Sequence, residues 1–300
     1  MGIARESAGK NDDAVGSVRI LAGLAVDDIG ESDARPPLVL LHGLTFDRTM
    51  WQPALAQLGS IDPGRRVLAF DLPGHGESPS WDAYDVDSVA HGVHRAVVEA
   101  GLDEPVIVGH SLAAIIAGVY AAEFPNRGVV NVDQPLQTAA FAGFLQSIAD
   151  QLRGPGFPAI WEQFSASMHI ELLPSSAQQL VRSTSNPQQD LVLGYWREVL
   201  EQSTSELAVR VSEGLIALRT ADVPYLIVAG TRSRTRLPPV ARRSPPPGRH
   251  HRFSGQWPLS APRTPRLLCR MPSRHRAMDR HYLTCARNPN TQSAPPAPAP

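Results

Sequence analysis

Cysteine is scarce in this chain and long apolar runs are missing, and each shortage excludes a class of protein. The 300 residues contain two cysteines, Cys269 and Cys285, which are too few for a disulfide scaffold or a multi-cysteine zinc site. No apolar run is as long as a membrane-spanning helix, and residues 1–14 are polar and charged, unlike a secretory signal. These features predict a cytoplasmic protein with no membrane partner.

Acidic residues are nearly missing from the last part of the chain. Residues 231–300 contain fourteen arginines and one acidic residue, Asp279, whereas residues 1–230 contain 14 basic and 28 acidic residues. Half of the 28 prolines also lie in 231–300. Because the two parts differ so strongly, we expect a folded body over 18–230, a disordered N-terminus over 1–17, and a disordered, low-complexity C-terminal tail.

The body alternates between two kinds of apolar pattern. Short continuous runs rich in Val, Ile and Leu are typical of strands buried on both faces of a parallel sheet. These runs are 38–41, 67–70, 106–108, 129–132 and 225–229. Apolar residues three and four apart predict an amphipathic helix over 86–100, and nearly continuous apolarity predicts a buried helix over 112–123. The alternation favours an α/β fold with a doubly wound, mostly parallel sheet.

Chemically active side chains follow several of the predicted strands. His42, Ser111 and Asp133 each follow a strand, and such sheets bind ligands beyond the carboxyl ends of their strands. Residues 134–220 contain aromatic and apolar clusters at helical spacing and no clear strand, which indicates a helical cap inserted between two strands.

One segment has the pattern of a catalytic turn. Residues 106–113 read Val-Ile-Val-Gly-His-Ser-Leu-Ala, a strand followed by a sharp turn and a helix. The segment resembles the G-x-S-x-G nucleophile elbow of the α/β-hydrolase family. The nucleophile of such an elbow lies on a strained turn, so the residues two positions away must be small. Gly109 fits this requirement, and Ala113 replaces the second glycine with another small residue.

Two further segments resemble the same family, and with them the resemblance extends over about 18–230. Residues 38–44 resemble its strand followed by His-Gly, and residues 67–78 resemble its next strand with a D-x-P-G-H-G-x-S turn. The resemblance implies that Ser111 is the nucleophile and that the backbone amides of Leu44 and Leu112 form the oxyanion hole.

Each of these residues also has a purely structural interpretation. Ser111 could cap the helix that follows it, which is a common role of serine after a strand. For His42, His75 and His110, a turn or packing role is the favoured interpretation. His169 and Glu171 are interpreted as ordinary cap residues rather than a metal pair, and Asp71 as a brace for its loop. No metal or organic cofactor is expected.

The catalytic acid and base follow from the family order of serine, acid and histidine. Asp133 directly follows the strand after the elbow, whereas the residues directly after Gly230 read Thr-Arg-Ser-Arg with no carboxylate, so we assign Asp133 as the acid. Its alternative role is to cap the strand end. The histidine of the family should follow a last strand, and residues 231–300 contain neither its Gly-His motif nor that strand.

We interpret 231–300 as translated out of frame. Reading Arg252–Arg266 one nucleotide later, with permitted codon choices, can encode Val-Phe-Pro-Gly-Ser-Gly-His-Phe-Pro-His-Leu-Ala-His-Pro-Asp, which resembles the missing strand and histidine loop. The alternatives are an arginine-rich segment that binds nucleic acid or an acidic partner, a polyproline ligand at 295–300, or a disordered tail. Nucleic acid is not the favoured partner.

Taken together, the sequence predicts a serine hydrolase that acts on a small-molecule carboxylic ester or related acyl substrate. The cap aromatics suggest a mostly apolar pocket; they are Phe141, Phe144, Trp161, Phe164, Tyr195 and Trp196. A chain that lacks the histidine would keep only weak residual activity. The alternative function is a non-catalytic, hydrolase-like protein that binds a small molecule.

Overall fold

A single mixed sheet organises the molecule. In the computed structural model of the protein, the described residues are 18–229 together with the backbone of 269 and 270. The strands are Val18–Leu21 (β1), Leu24–Ile29 (β2), Leu38–Leu41 (β3), Val67–Phe70 (β4), Val106–His110 (β5), Gly128–Val132 (β6), Tyr225–Val228 (β7) and Cys269–Arg270 (β8). The disordered N-terminus predicted over 1–17 and nearly all of the tail predicted over 231–300 lie outside the described residues.

Helices connect the strands and cover both faces of the sheet. They are Gln52–Ile61 (α1), Val86–Glu99 (α2), Leu112–Glu123 (α3), Ala139–Ser147 (α4), Ala149–Arg153 (α5), Phe157–Ser167 (α6), Ser175–Thr184 (α7), Gln189–Tyr195 (α8), Arg197–Glu201 (α9) and Thr204–Thr220 (α10), with 3₁₀ turns at Arg48–Trp51 and Ile170–Leu172. Among 18–229, no helix is both long enough and apolar enough to cross a bilayer.

The sheet confirms the predicted α/β class. Its strand order is β1-β2-β4-β3-β5-β6-β7-β8, and the five central strands β3 to β7 run parallel. Each of them coincides with one of the continuous apolar runs of the sequence, because strands covered on both faces have no polar side. Alternate residues face opposite layers: Leu41 and Ile107 pack with α2 and α3, whereas Leu40 and Val108 face α1.

Three antiparallel strands were not predicted. β1 and β2 form a hairpin, and Ala22 and Gly23 in its turn both have positive φ, at 47° and 83°. Two positive φ angles match the twist of a tight hairpin. The two-residue strand Cys269–Arg270 pairs with β7. β8 is antiparallel to β7 and therefore does not continue the parallel series.

Residues 134–220 are helical, as predicted, and contain none of the eight strands. Their own apolar cluster comprises Leu145, Leu152, Phe157, Trp161, Val192 and Trp196. α10 differs from the helices before it, because it packs against both α3 and α4 and places Leu218 in the main core. It is therefore the helix that returns the chain from the cap to the sheet.

A buried charge network shapes the loop after β4. The carboxylate of Asp71 is fully buried and accepts hydrogen bonds from the amides of Arg48, at 2.7 Å, and Glu77, at 2.8 Å. The Arg48 guanidinium forms ion pairs with Asp71, Asp27 and Glu77. A Cβ at Gly76 would lie 2.1 Å from the Asp71 carboxylate, so the loop closes tightly around this group. Asp71 braces its loop, as predicted.

Two buried histidines join the loop after β3 to the loop after β4. His42 Nδ1 donates to the Gly43 carbonyl at 2.8 Å, and its Nε2 accepts from the Leu72 amide at 2.9 Å. His75 uses its ring in the same way, between the Pro73 carbonyl and the Thr45 amide. Because each ring both donates and accepts, each histidine is a neutral crosslink, in agreement with the structural role expected for it.

Asp71→Asn should destabilise the fold strongly, because Asn cannot accept all the hydrogen bonds that the carboxylate accepts and lacks the charge that faces Arg48. We expect a loss of about 3 kcal/mol in the free energy of unfolding, measured by urea denaturation. The matched control is Asp62→Asn, which removes a partly exposed ion pair with Arg35 and should cost less than about 1 kcal/mol. Equal losses in the two variants would contradict the brace.

Acid should unfold the protein through the two crosslinking histidines. Burial lowers the pKa of His42 to about 4 and that of His75 to about 3. As the pH falls from about 6.5 towards 4, the unfolded chain therefore binds more protons than the folded chain does. The free energy of unfolding should fall by about 2.5 kcal/mol per pH unit near pH 5. Urea denaturation from pH 7 to pH 5 measures this slope.

The control for this titration is His75→Gln, whose amide can still accept from Thr45. The slope of this variant should be lower than that of wild type by about 1.3 kcal/mol per pH unit, because one titrating histidine is gone. An unchanged slope, or a wild-type stability that is the same at pH 7 and pH 5, would contradict the assignment.

Candidate active site

Ser111 lies on a strained turn between β5 and α3. Its φ of 53° and ψ of −129° fall in a region that side chains other than glycine rarely adopt. Backbone hydrogen bonds hold it from both sides, since its amide donates to the Val132 carbonyl at 2.9 Å and its carbonyl accepts from the Ala114 amide at 2.8 Å. The sharp turn predicted from the sequence is therefore present.

The turn depends on a close contact between the strand and the helix. A Cβ at Gly109 would lie 2.2 Å from the carbonyl oxygen of Ala113. Only glycine fits at 109 without displacing backbone, and Ala113 is itself fully buried. The requirement for small residues two positions before and after Ser111 follows from this contact.

Ser111 does not act as a helix cap. Its side chain makes no capping hydrogen bond to α3, and its backbone is far from the extended conformation of an N-cap. Asp85 provides the contrast, because it has an extended backbone and its carboxylate accepts from the Ser88 amide at the start of α2. The capping interpretation of Ser111 is therefore wrong.

The loop after β3 lies beside the elbow. β3 pairs with β5, and a Cβ at Gly43 would lie 2.6 Å from Nδ1 of His110, the residue before Ser111. The side chain of Leu44 packs against both the main core and the cap cluster. Neither the Leu44 amide nor the Leu112 amide donates a hydrogen bond to any group within 18–229. Both amides can therefore donate to an oxygen that does not belong to these residues.

Asp133 is positioned at the same edge of the sheet. β6 pairs with β5 up to His110 and Val132, so Asp133 and Ser111 are the next residues on two neighbouring strands. Asp133 is exposed, has a positive φ of 58°, and donates its amide to the Val228 carbonyl at 2.7 Å. The structure thus brings together the predicted nucleophile and the predicted acid at the carboxyl ends of β5 and β6.

His110 is largely buried beside these residues. Burial lowers the pKa of its imidazole, and the negative charge of Asp133 opposes this shift. Its ring is edge-on to Phe46, with centroids 6.1 Å apart, and its buried Nδ1 has no hydrogen-bond partner in the described part of the chain. These contacts support the packing role expected for His110.

The described residues contain no histidine that we can assign as the general base. His42 and His75 use both ring nitrogens in crosslinks. His91 pairs with Glu123 and His94 stacks on Phe124. The exposed His169 pairs with Glu171, at 3.1 Å, in the cap. The remaining four histidines lie beyond residue 229 and outside the described residues.

The cap docks on the loop after β4. The Tyr195 hydroxyl donates to the Pro73 carbonyl at 3.0 Å, and a Cβ at Gly74 would lie 2.5 Å from a methyl group of Leu191. Tyr195 is almost fully buried, which raises the pKa of its hydroxyl well above the ordinary value. Among the other predicted pocket aromatics, Trp161 and Trp196 pack in the cap cluster and Phe164 packs against it, whereas Phe141 and Phe144 are exposed.

Two residues near the site were missed in the sequence. Arg48 is the centre of the charge network, but nothing in its local pattern distinguishes it from a surface arginine. Asn131 is fully buried beside Asp133. The signal for Asn131 was present, because an amide within the apolar run Val-Val-Asn-Val must find hydrogen-bond partners.

Known proteins share this architecture. Of the solved structures that resemble the chain, E-2-(acetamidomethylene)succinate hydrolase is 20% identical, with a TM-score of 0.53, over 72% of this chain and 81% of that one. A hydrolase from Pseudomonas aeruginosa PA01 is 19% identical, with a TM-score of 0.52 over the same shares. At these identities the likeness concerns the fold alone.

Similar sequences cover part of the chain. A protein named as a carbamate hydrolase, RutD from Escherichia coli O127:H6, is 30% identical over 130 residues, which are 42% of this chain and 48% of RutD. The biotin biosynthesis bifunctional protein BioHC from Cellvibrio japonicus is 37% identical over 101 residues, which are 33% of this chain and 18% of BioHC. The chain therefore spans about half the length of RutD and less than a fifth of the length of BioHC.

The sequence profile of one family matches most of the chain. It covers residues 38–265 and therefore extends from β3 into the arginine- and proline-rich segment. The matched region includes the elbow, the loop after β3 and the strand β6, which ends one residue before Asp133. The chain belongs to the alpha/beta hydrolase family.

Proposed function

We propose that the protein is a serine hydrolase that cleaves a carboxylic ester or a related acyl compound, with Ser111 as the nucleophile. The observation that carries the proposal is the backbone of Ser111, which is strained while its side chain caps nothing. Strain of this kind costs on the order of 1–3 kcal/mol and persists at functional sites, where it presents a reactive group. Family membership adds that hydrolysis is the expected class of reaction.

The reaction would proceed in two steps. The Ser111 hydroxyl attacks the carbonyl carbon of the substrate, and the amides of Leu44 and Leu112 stabilise the negative charge that develops on the carbonyl oxygen. The serine proton passes to a histidine and then to the leaving alcohol, which departs and leaves an acyl group on Ser111. Water, deprotonated by the same histidine, then attacks the acyl group and releases the acid and the free serine.

Asp133 would orient that histidine and stabilise its charged form. The histidine itself belongs to the part of the chain outside the described residues, or to the reading frame that we infer for the segment after 230. Similarity to RutD extends the candidate substrates from esters to carbamates, whose carbonyl carbon is open to the same attack.

A fluorophosphonate probe tests the nucleophile in the full chain. We expect Ser111 to react at least about 10³-fold faster than Ser60, an exposed serine on α1, because oxyanion stabilisation alone contributes about that much. Peptide mass spectrometry identifies the modified serine, and Ser111→Ala should abolish the fast modification. Equal, slow modification of both serines would reject the nucleophile and favour a non-catalytic binding protein.

Two substitutions at Ser111 separate strain from the loss of the hydroxyl. The free energy of unfolding of Ser111→Gly should be about 1–2 kcal/mol higher than that of Ser111→Ala, because only glycine adopts this φ and ψ without strain. Urea denaturation measures the difference. The control pair is Ser212→Gly and Ser212→Ala in the exposed middle of α10, where the order should reverse by about 1 kcal/mol. The same order at both sites would contradict the strained turn.

A further inference from the structure

Asn131 is a polar side chain in the middle of an apolar strand. It is fully buried in β6, where its neighbours along the chain are valines. Burying an amide without hydrogen bonds costs several kcal/mol, so its partners determine what it does for the structure. It lies two residues before Asp133.

The Asn131 amide bonds to the chain on the far side of Asp133. Its Oδ1 accepts from the Gln134 amide at 3.0 Å, and its Nδ2 donates to the Gln134 carbonyl at 2.9 Å. The same Nδ2 donates to the hydroxyl of Tyr225, a buried residue on β7, at 3.2 Å. The Asn131 side chain thus pairs with the backbone of Gln134 as a neighbouring strand would. Val132 and Asp133 lie between these two residues, and Asp133 is the charged one.

The hydrogen bonds between Asn131 and Gln134 account for the backbone conformation of Asp133. A φ of 58° is uncommon outside glycine, and aspartate is one of the few other residue types that adopt it. Its amide is fixed by the Val228 carbonyl at 2.7 Å, and the next residue is fixed by Asn131 at both its N–H and its C=O. These bonds set the direction in which the chain leaves β6, and hence the direction of the Cα–Cβ bond of Asp133.

We propose that Asn131 is the positioning residue for the Asp133 carboxylate. The inference rests on the proposed function, because it concerns the acid of that reaction. Asn131 does not touch the substrate. It acts through the turn 131–134, which holds the carboxylate on the strand beside Ser111. A misplacement of about 1 Å in such a group can reduce the reaction rate about 100-fold.

A double-mutant cycle with Asp133→Ala distinguishes positioning from general stabilisation. The second-order rate of fluorophosphonate modification of Ser111 is measured in the chain whose segment after residue 230 is read in the inferred frame, because Asp133 affects this rate through the histidine that the frame encodes. Asn131→Ala and Asp133→Ala should each reduce the rate about 10- to 100-fold, and the double variant should be no slower than Asp133→Ala alone. Losses that multiply in the double variant would overturn the proposal, because Asn131 would then act independently of Asp133.

Two variants serve as matched controls. Gln134→Ala keeps the backbone groups that Asn131 binds and should leave the rate unchanged. Tyr225→Phe removes only the 3.2 Å hydrogen bond and should reduce the rate less than threefold. Asn131→Asp is nearly isosteric and keeps the acceptor for the Gln134 amide, so it provides a folded variant with an intermediate loss if Asn131→Ala does not fold. A rate in Asn131→Asp equal to that of wild type would overturn the proposal.

A crystal structure of the Asn131→Ala variant, or of Asn131→Asp if that is the folded one, separates this inference from the proposed function. We expect Asp133 to move from φ near 58° to a negative value, and to remain near 58° in Gln134→Ala. An unmoved Asp133 would overturn the positioning role even if Ser111 reacts rapidly. If Asp133 moves but Ser111 never reacts, the proposed hydrolase function is rejected, whereas the control of the Asp133 backbone by Asn131 is supported.

Discussion

The close crossing of β5 by α3 is the contact on which the rest of the site depends. With no side chain at Gly109, the helix can begin against the end of the strand, with the Ala113 carbonyl where a Cβ would otherwise lie. The one residue between strand and helix must then take a strained conformation, and that residue is Ser111. The same geometry places the amide of Leu112, which donates to no group within 18–229, at the start of the helix, so a single turn would supply both the nucleophile and an oxyanion donor.

The surrounding loops are fixed by groups that do not take part in the chemistry. Neutral His42 and His75 crosslink the loops after β3 and β4, and the Asp71–Arg48 network closes the second of these loops. The cap rests on that loop through Tyr195. Preorganisation of this kind is what an oxyanion hole requires, because its amides must be in place before charge develops on the substrate.

Local patterns predicted the parts of the molecule that local physics determines. The buried parallel strands were visible because they lack a polar face, and the helix 112–123 because it is apolar nearly all round. The β1–β2 hairpin was missed because exposed Val18 and Ile20 obscure its alternation. The role of Arg48 depends on Asp71, which is distant in sequence, so no short window of the chain contains it. Asn131 bonds to nearby Gln134, and only its bond to Tyr225 joins residues distant in sequence. The elbow was predictable because its steric requirement falls within five residues.

The most direct measurement is a crystal structure of the full chain after reaction with a fluorophosphonate. The account predicts a covalent bond between phosphorus and the Ser111 oxygen, with a phosphonyl oxygen about 2.7–3.1 Å from the amide nitrogens of Leu44 and Leu112. It also predicts that Ser111 keeps its positive φ. An unmodified Ser111 in a regular helical conformation, or a phosphonyl oxygen that faces neither amide, would contradict the central claim.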